Sequence, residues 1–191
     1  MNDKVLLCGL DEAGRGPLAG PVCAAAVILP ETFNISILND SKKLSHSKRV
    51  IAMSNIYSQA LSWGIGWASP EEIDRINILN ASLLAMQRAF AAMICSSELD
   101  PCRIRPLVDG LHAPELPVPC EALVKADCLV PEVMAASILA KTARDRLMGY
   151  YGIFYPGYGY EKHMGYPTKA HREAIKRFGP SPIQRMSFKI K

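Results

Sequence analysis

Gly9-Leu10-Asp11-Glu12-Ala13-Gly14-Arg15-Gly16-Pro17-Leu18-Ala19-Gly20-Pro21 puts two adjacent carboxylates at the end of an apolar segment and follows them with three glycines. Upstream, Val5, Leu6, Leu7, Cys8 and Leu10 form a near-continuous apolar run, the pattern of a strand buried on both faces. Asp11 and Glu12 would be costly to bury along such a strand, so they belong at its open end. Neighbouring strand residues point to opposite faces, so regular pairing is expected to stop at the acids if both serve one site. Gly14 and Gly16 make that break easy. The same glycines leave amide groups uncovered, and Arg15 between them adds a fixed cation able to contact phosphate.

Working outward, Val22 to Leu29 reads as a second strand, ended by Pro30 and antiparallel to the first. Cap residues from Asn39 to Ser45 precede a helical pattern running to about Ala60, which sets Lys42 and Lys43 near a helix start. Lysines there oppose the helix dipole, and a nearby anion would account for them. Leu61 to Ala68 alternates as a third strand, and Ser69-Pro70-Glu71-Glu72 opens a long helix with one apolar face. Asn77 and Asn80 lie on its other side, as substrate contacts or plain surface. Ile104 to Val108 is a short strand ending in Asp109-Gly110, which repeats the layout of the opening stretch, although Asp-Gly alone also reads as a turn. Cys120 to Ala126 is a further strand ended by Asp127, ahead of a helix from about Pro131 to Tyr150. The aromatic and glycine-rich run from Tyr150 to Tyr160 is a stacking surface or packed loop filler, and a last helix spans Lys169 to Phe178.

The 191 residues, 49% hydrophobic and 21% charged, suffice for one full core, so 1–191 is expected to be a single domain, with about 150–191 a basic, aromatic-containing C-terminal extension. Met1-Asn2-Asp3-Lys4 leads straight into the first strand without an h-region, and no apolar run approaches membrane-spanning length. The expectation is a cytoplasmic monomer with no membrane partner. Six cysteines carry no Cys-x-x-Cys spacing, and four lie in predicted core segments, so they read as reduced packing residues. The net charge of +4 is uneven: residues 1–140 hold 11 Lys+Arg against 15 Asp+Glu, while 141–191 hold 11 against 3. A basic quarter beside an acidic site suits a polyanion held by one part and cut by the other, and on charge alone it equally suits a solvated helix face.

The opening string closely resembles the first motif of the type 2 ribonucleases H, ribonuclease HII. Matching blocks are Asp11 to Pro21, Asp40 to Leu44, Lys125 to Met148 and His163 to Phe188, with Val108-Asp109-Gly110 between them. The most specific is the block holding Lys-Ala-Asp, then Met-Ala-Ala-Ser-Ile-Leu-Ala-Lys, then Arg-Asp-Arg-Leu-Met. Departures from the family pattern are Ala126 where glycine is usual, Leu111-His112 where asparagine often follows the glycine, and Gln184-Arg185-Met186 in place of His-Arg-Arg.

The resemblance implies an α/β ribonuclease H-like fold, a mixed five-stranded sheet flanked by helices with a helical C-terminal extension. It implies that Asp11, Glu12, Asp109 and Asp127 converge at one sheet edge as catalytic and metal-binding residues. Oxygen ligands without His or Cys select Mg²⁺ or Mn²⁺, and two such ions suit in-line hydrolysis at phosphorus. The implied substrates are RNA–DNA hybrids and DNA duplexes with embedded ribonucleotides, cut on the 5′ side of the ribonucleotide to leave 5′-phosphate and 3′-hydroxyl ends. By the same resemblance Gly14, Arg15 and Gly16 read the ribose 2′-hydroxyl, Tyr166 packs on the following deoxyribose, and Lys42, Ser137 and Lys141 approach phosphates. A hybrid-binding module that does not cut is the rival class, disfavoured because clustered acids facing phosphates weaken binding unless metals neutralise them. A two-metal nuclease acting on DNA is another.

Overall fold

The computed structural model describes residues 5–38 and 44–190. The apolar run of the opening stretch forms strand β1 (Leu6–Ala13), and the small, β-branched run after the loop forms β2 (Val22–Ile28), all seven residues of which are buried. Helix α1 (His46–Gln59) starts at an N-cap, Ser45, whose hydroxyl accepts from the Lys48 amide. Strand β3 (Ser62–Ala68) follows, then α2 (Pro70–Cys95). Ser69 and Glu72 form a capping box at the start of α2, with Pro70 at its first turn. Strands β4 (Ile104–Asp109) and β5 (Glu121–Leu123) complete the sheet. The helices α3 (Ala126–Leu129), α4 (Pro131–Phe154), α5 (Tyr160–His163) and α6 (Lys169–Phe178) close the described chain.

The sheet is mixed and five-stranded, in the order β3-β2-β1-β4-β5. β2 runs antiparallel to both its neighbours, while β4 is parallel to β1 and β5 to β4. Each face buries its own core. Cys8, Leu10, Ala24, Ala26 and Val108 pack with Ala85, Ala89, Phe90 and Met93 of α2. Cys23, Ala25 and Val27 pack with Ala52 and Ile56 of α1 and Ala136, Ile138 and Leu139 of α4. The apolar stripes of the helices cover the two faces of a strand set that is itself apolar on both sides. Gly9 sets the distance of α4: a Cβ there would lie 2.1 Å from the carbonyl carbon of Glu132, so the first turn of α4 rests on the β1 backbone.

Several expectations are corrected. Pairing does not stop at the acids on both sides of β1: Asp11 and Glu12 stay in register with Ala25 and Ala24 of β2, and only the β4 side ends, at Leu10–Val108. β5 is three residues long rather than running from Cys120 to Ala126, because Lys125 turns left-handed (φ 64°) and the chain enters α3. Asp127 is therefore in the first turn of a helix and not at a strand end. α2 is interrupted at Asn77 (φ 66°, ψ 166°), whose side chain accepts from the Asn80 amide and caps the second segment. α2 is also long and apolar enough to cross a membrane by length and composition, contrary to the expectation that no run was, and here it is a core helix laid on the sheet. α4 continues to Phe154, four residues beyond its expected end.

The tyrosines beyond α4 resolve toward packing. Tyr160 is buried with Ala19, Met148 and Ile183, its hydroxyl 2.6 Å from that of Ser181, and Tyr158 stacks on its ring and donates to the Gly179 carbonyl. All six cysteines are free; Cys8 and Cys23 are buried and Cys120 packs half-buried against the first core, while Cys95, Cys102 and Cys128 are exposed, so core packing accounts for three rather than four.

Candidate active site

Because β1 and β4 are parallel and in register up to Leu10–Val108, the next residues, Asp11 and Asp109, lie side by side on one face where the two strands part. That face is the one covered by α4. Glu12 points to the opposite face and reaches the same opening round the end of the sheet. Asp127 approaches from α3. All four carboxylates line one cleft of about 430 Å³ at the carboxyl ends of β1 and β4, together with Gly14, Arg15, Gly16, Arg49, Ser137, Lys141 and Tyr166. The structure thus brings together every site residue expected from the sequence except Lys42, which lies outside the described residues.

Burial raises the Asp11 carboxyl well above the ordinary carboxylate range, and the Glu12 and Asp109 charges push it further. The Ser137 hydroxyl and the Glu12 amide, 2.8 Å away, hydrogen-bond to Asp11 and favour its ionised form. Glu12 is also raised, by burial first and by Asp109, against the pull of Arg15, whose Nη1 lies 3.2 Å from Oε1. Among the described residues no three His, Cys, Asp or Glu side chains already stand closely enough to hold an ion. The donor set nevertheless fits a hard divalent cation. It is all carboxylate oxygen, and its members repel one another in a partly dry cleft, which a divalent ion would relieve.

The glycines of the loop differ in what they require. At Gly14 (φ 99°) a Cβ would fall 2.0 Å from Arg144 Nε, whereas at Gly16 it would meet only the Tyr166 ring, at 3.6 Å. Gly14 is glycine for its backbone and for the arginine packed on it; Gly16 is glycine on the open side of the cleft. Arg144, fully buried, donates from Nε to the Pro21 carbonyl (2.9 Å), from Nη2 to that of Ala19 (3.1 Å) and from Nη1 to that of Met164 (3.0 Å). Arg185, also fully buried, donates from Nε to the Gly20 carbonyl (2.8 Å), from Nη1 to that of Arg15 (3.0 Å) and from Nη2 to that of Gly14 (2.6 Å). Tyr166 sits on a turn tied to this loop, the Leu18 amide donating to the Gly165 carbonyl (2.8 Å), and its own carbonyl receives the Thr168 amide (2.8 Å) and lies 3.0 Å from His171 Nδ1.

Lys141 and Arg49 flank the cleft and share one acid, Asp145, at 2.7 Å and 3.1 Å. Asp145 meets Arg49 across the α1–α4 seam and Lys141 along α4 itself. Sequence reasoning gave no role to Arg49 or Asp145, and it held Arg144 only within a family block and Arg185 only within a departure from a pattern. The departures themselves are accommodated. The left-handed residue is Lys125, so Ala126 has no need to be glycine; Leu111 is exposed; and Gln184 Nε2 donates to the Leu18 carbonyl at 2.9 Å.

Comparison with known proteins gives a consistent answer. A family model described as ribonuclease HII matches residues 8–191. The ribonuclease HII of Treponema denticola is 56% identical over 197 residues, covering 97% of this chain and 99% of the relative. That of Dechloromonas aromatica is 54% identical over 183 residues, covering 96% and 90%. Among solved structures, the ribonuclease H2 from Pyrococcus horikoshii matches with a TM-score of 0.71 at 25% identity, over 97% of this chain and 94% of the other.

Proposed function

Since the chain belongs to the ribonuclease HII family, we propose that it is a divalent-metal-dependent endoribonuclease that cuts the RNA strand of RNA–DNA hybrids and of DNA duplexes with embedded ribonucleotides. Cleavage falls on the 5′ side of the ribonucleotide and leaves 5′-phosphate and 3′-hydroxyl ends. The observation that carries this reading is the meeting of Asp11, Glu12, Asp109 and Asp127 with the Gly14–Gly16 loop, Lys141 and Tyr166 in one cleft.

Asp11 and Asp109 on one face, Glu12 on the other and Asp127 from α3 would hold two Mg²⁺ or Mn²⁺ ions, which when bound supply water activation and charge stabilisation at the leaving 3′-oxygen. The chain's own residues do the positioning. Ser137 hydrogen-bonds to Asp11 and favours its ionised form against the burial that disfavours it. Asp145 extends Lys141 and Arg49 toward the path of the phosphates, where a lysine acts as a point charge and an arginine as a fork. Arg15 and the bare backbone at Gly16 approach the ribose, and Tyr166 offers its face to the sugar on the 3′ side. Lys42 is assigned a phosphate contact by sequence alone.

The deciding experiment offers the protein a DNA duplex with one embedded ribonucleotide in the presence of Mg²⁺ or Mn²⁺. A single nick with 5′-phosphate on the ribonucleotide is expected, together with no cutting in EDTA and none of an all-DNA duplex. Binding without a nick in either metal would replace the reading by a hybrid-binding module, and equal cutting of the all-DNA duplex by a DNA nuclease.

A further inference from the structure

Two buried cations under a glycine loop are an expensive arrangement. Burial lowers the pKa of both the Arg144 and the Arg185 guanidinium, and the neighbouring Arg144 charge lowers that of Arg185 further. Instead of carboxylates, six hydrogen bonds from the two side chains end on main-chain carbonyls. Five of these carbonyls belong to residues 14–21, and the sixth, Met164, precedes the turn that carries Tyr166.

The direction of those bonds fixes what the loop presents. A peptide unit is planar, and none here is cis, so its carbonyl and its N–H point opposite ways. Arg185 draws the Gly14 and Arg15 carbonyls inward, and the N–H groups of the same two units are those of Arg15 and Gly16. With Arg185 fully buried beneath the loop and Gly14, Arg15 and Gly16 lining the cleft, both N–H groups are turned to the cleft side. Among the described residues neither amide donates to a protein acceptor. A planar fork with fixed donors is suited to holding two successive peptide units in one orientation; an ammonium is not.

We propose that Arg144 and Arg185 are positioning residues for ribose recognition: they lock the peptide planes of the Gly14–Gly16 loop so that two consecutive amides stand preset as donors to the 2′-oxygen, and Arg144 couples that loop to the turn bearing Tyr166. The proposal rests on the function proposed above. Its test measures coupling between the clamp and the 2′-group. The full-length wild type, Arg185→Lys and Arg144→Lys are compared on a duplex with one ribonucleotide and on the same duplex with a 2′-deoxy-2′-fluoro nucleotide at that position, with Mg²⁺, and each protein's melting is recorded.

Arg185→Lys keeps the charge and loses the fork, so kcat/KM on the ribonucleotide is expected to fall about 10- to 100-fold, the usual scale of a small misplacement. On the fluorinated duplex it should fall no more than about threefold, compressing the preference of the wild type for the hydroxyl. Equal losses on both substrates would overturn the proposal and leave the arginines a purely structural role. Should one variant fail to melt cooperatively, the other decides, and failure of both to fold would also overturn it. A wild type that cuts the ribonucleotide duplex but shows no preference over the fluorinated one refutes ribose reading by the loop, whereas a wild type that cuts neither refutes the proposed function itself.

Discussion

Alanine at Gly14 and at Gly16, two positions apart in one loop, should separate what the fold needs from what the substrate needs. At Gly14 the backbone sits at φ 99°, and the new Cβ would fall 2.0 Å from Arg144 Nε. Arg144 cannot swing away without releasing carbonyls that hold the loop. A side chain in that backbone region costs about 1–3 kcal/mol, and overpacking a filled site adds about 1–3 kcal/mol more. Taking about 4 kcal/mol in all, and about 2–4 °C per kcal/mol for a chain of this size, the melting temperature of Gly14→Ala should drop by roughly 8–16 °C. At Gly16 the only neighbour of the added methyl is the Tyr166 ring at 3.6 Å, an ordinary contact, so Gly16→Ala should stay within about 0.5 kcal/mol of wild type. Its cost appears with substrate bound, when the methyl fills the space meant for the ribose; about 1–3 kcal/mol of overpacking there is roughly a 5- to 150-fold loss in kcat/KM. The assay pairs thermal unfolding with cleavage of the single-ribonucleotide duplex and a Mn²⁺ titration. Full activity in Gly16→Ala, or weakened Mn²⁺ binding in step with its activity, would refute the division of labour.

Asp11→Asn, Glu12→Gln, Asp109→Asn and Asp127→Asn should each lower turnover by orders of magnitude while the protein stays folded, and full activity of Asp109→Asn at millimolar Mg²⁺ would break the four-carboxylate assignment. Replacing Lys169, Arg172 and Lys176 together by glutamine should flatten the salt dependence of substrate affinity by about 2 in log–log slope, less than one per residue because Lys169 stands 3.9 Å from Glu173; an unchanged slope returns α6 to a solvated face. Tyr166→Ala should lose about 1–3 kcal/mol of transition-state binding and Tyr166→Phe nearer 1 kcal/mol, with the larger loss of Tyr166→Ala at a ribonucleotide–deoxyribonucleotide junction; equal losses on a uniform hybrid would mark the ring as loop support. The bidentate Arg88 holds Glu72 down from 4.5 to about 2, so the unfolded chain binds more protons than the folded one in that window. The stability this pair supplies is therefore complete above the ordinary carboxylate range and lost as pH falls toward 2, and acid unfolding of Glu72→Gln should show a shallower slope there.

Long periodic segments were legible in the sequence because one or two packing partners decide them. β1 and β2 appear where their apolar runs put them, β3 where alternation does, and α6 over the expected Lys169–Phe178. What was not legible depends on partners distant along the chain. Lys125 turns left-handed after only three residues of β5, although its neighbours have strand character. Asn77 reads as one more helical position until its cap on Asn80 is seen. The acids and the glycine loop were found because the whole string resembles a known family's motif; alone, an Asp-Glu pair reads as solvated surface and Asp-Gly as a turn. Arg144 and Arg185 were not, since a charged residue in a helical or tail segment reads as solvent-facing, and their acceptors lie as far as 171 residues away. The tyrosines between 150 and 160 carry the composition of a stacking surface, yet Tyr160 is core and Tyr151, Tyr155 and Tyr158 pack half-buried against it while Tyr150 is exposed, a distinction only burial makes.

That separation of 171 residues between Gly14 and Arg185 also orders events in time. A ribosome adding about 5–20 residues per second finishes the loop roughly 9–34 seconds before it adds the arginine that holds it. Through that interval the nascent chain gains its other four strands and the last two acids, Asp109 and Asp127, while the Gly14, Arg15 and Gly20 carbonyls still lack their arginine. Synthesis thus yields the cutting groups first and the device that sets the loop last, so a chain stalled or clipped short of Arg185 carries the carboxylates without the fixed frame around them.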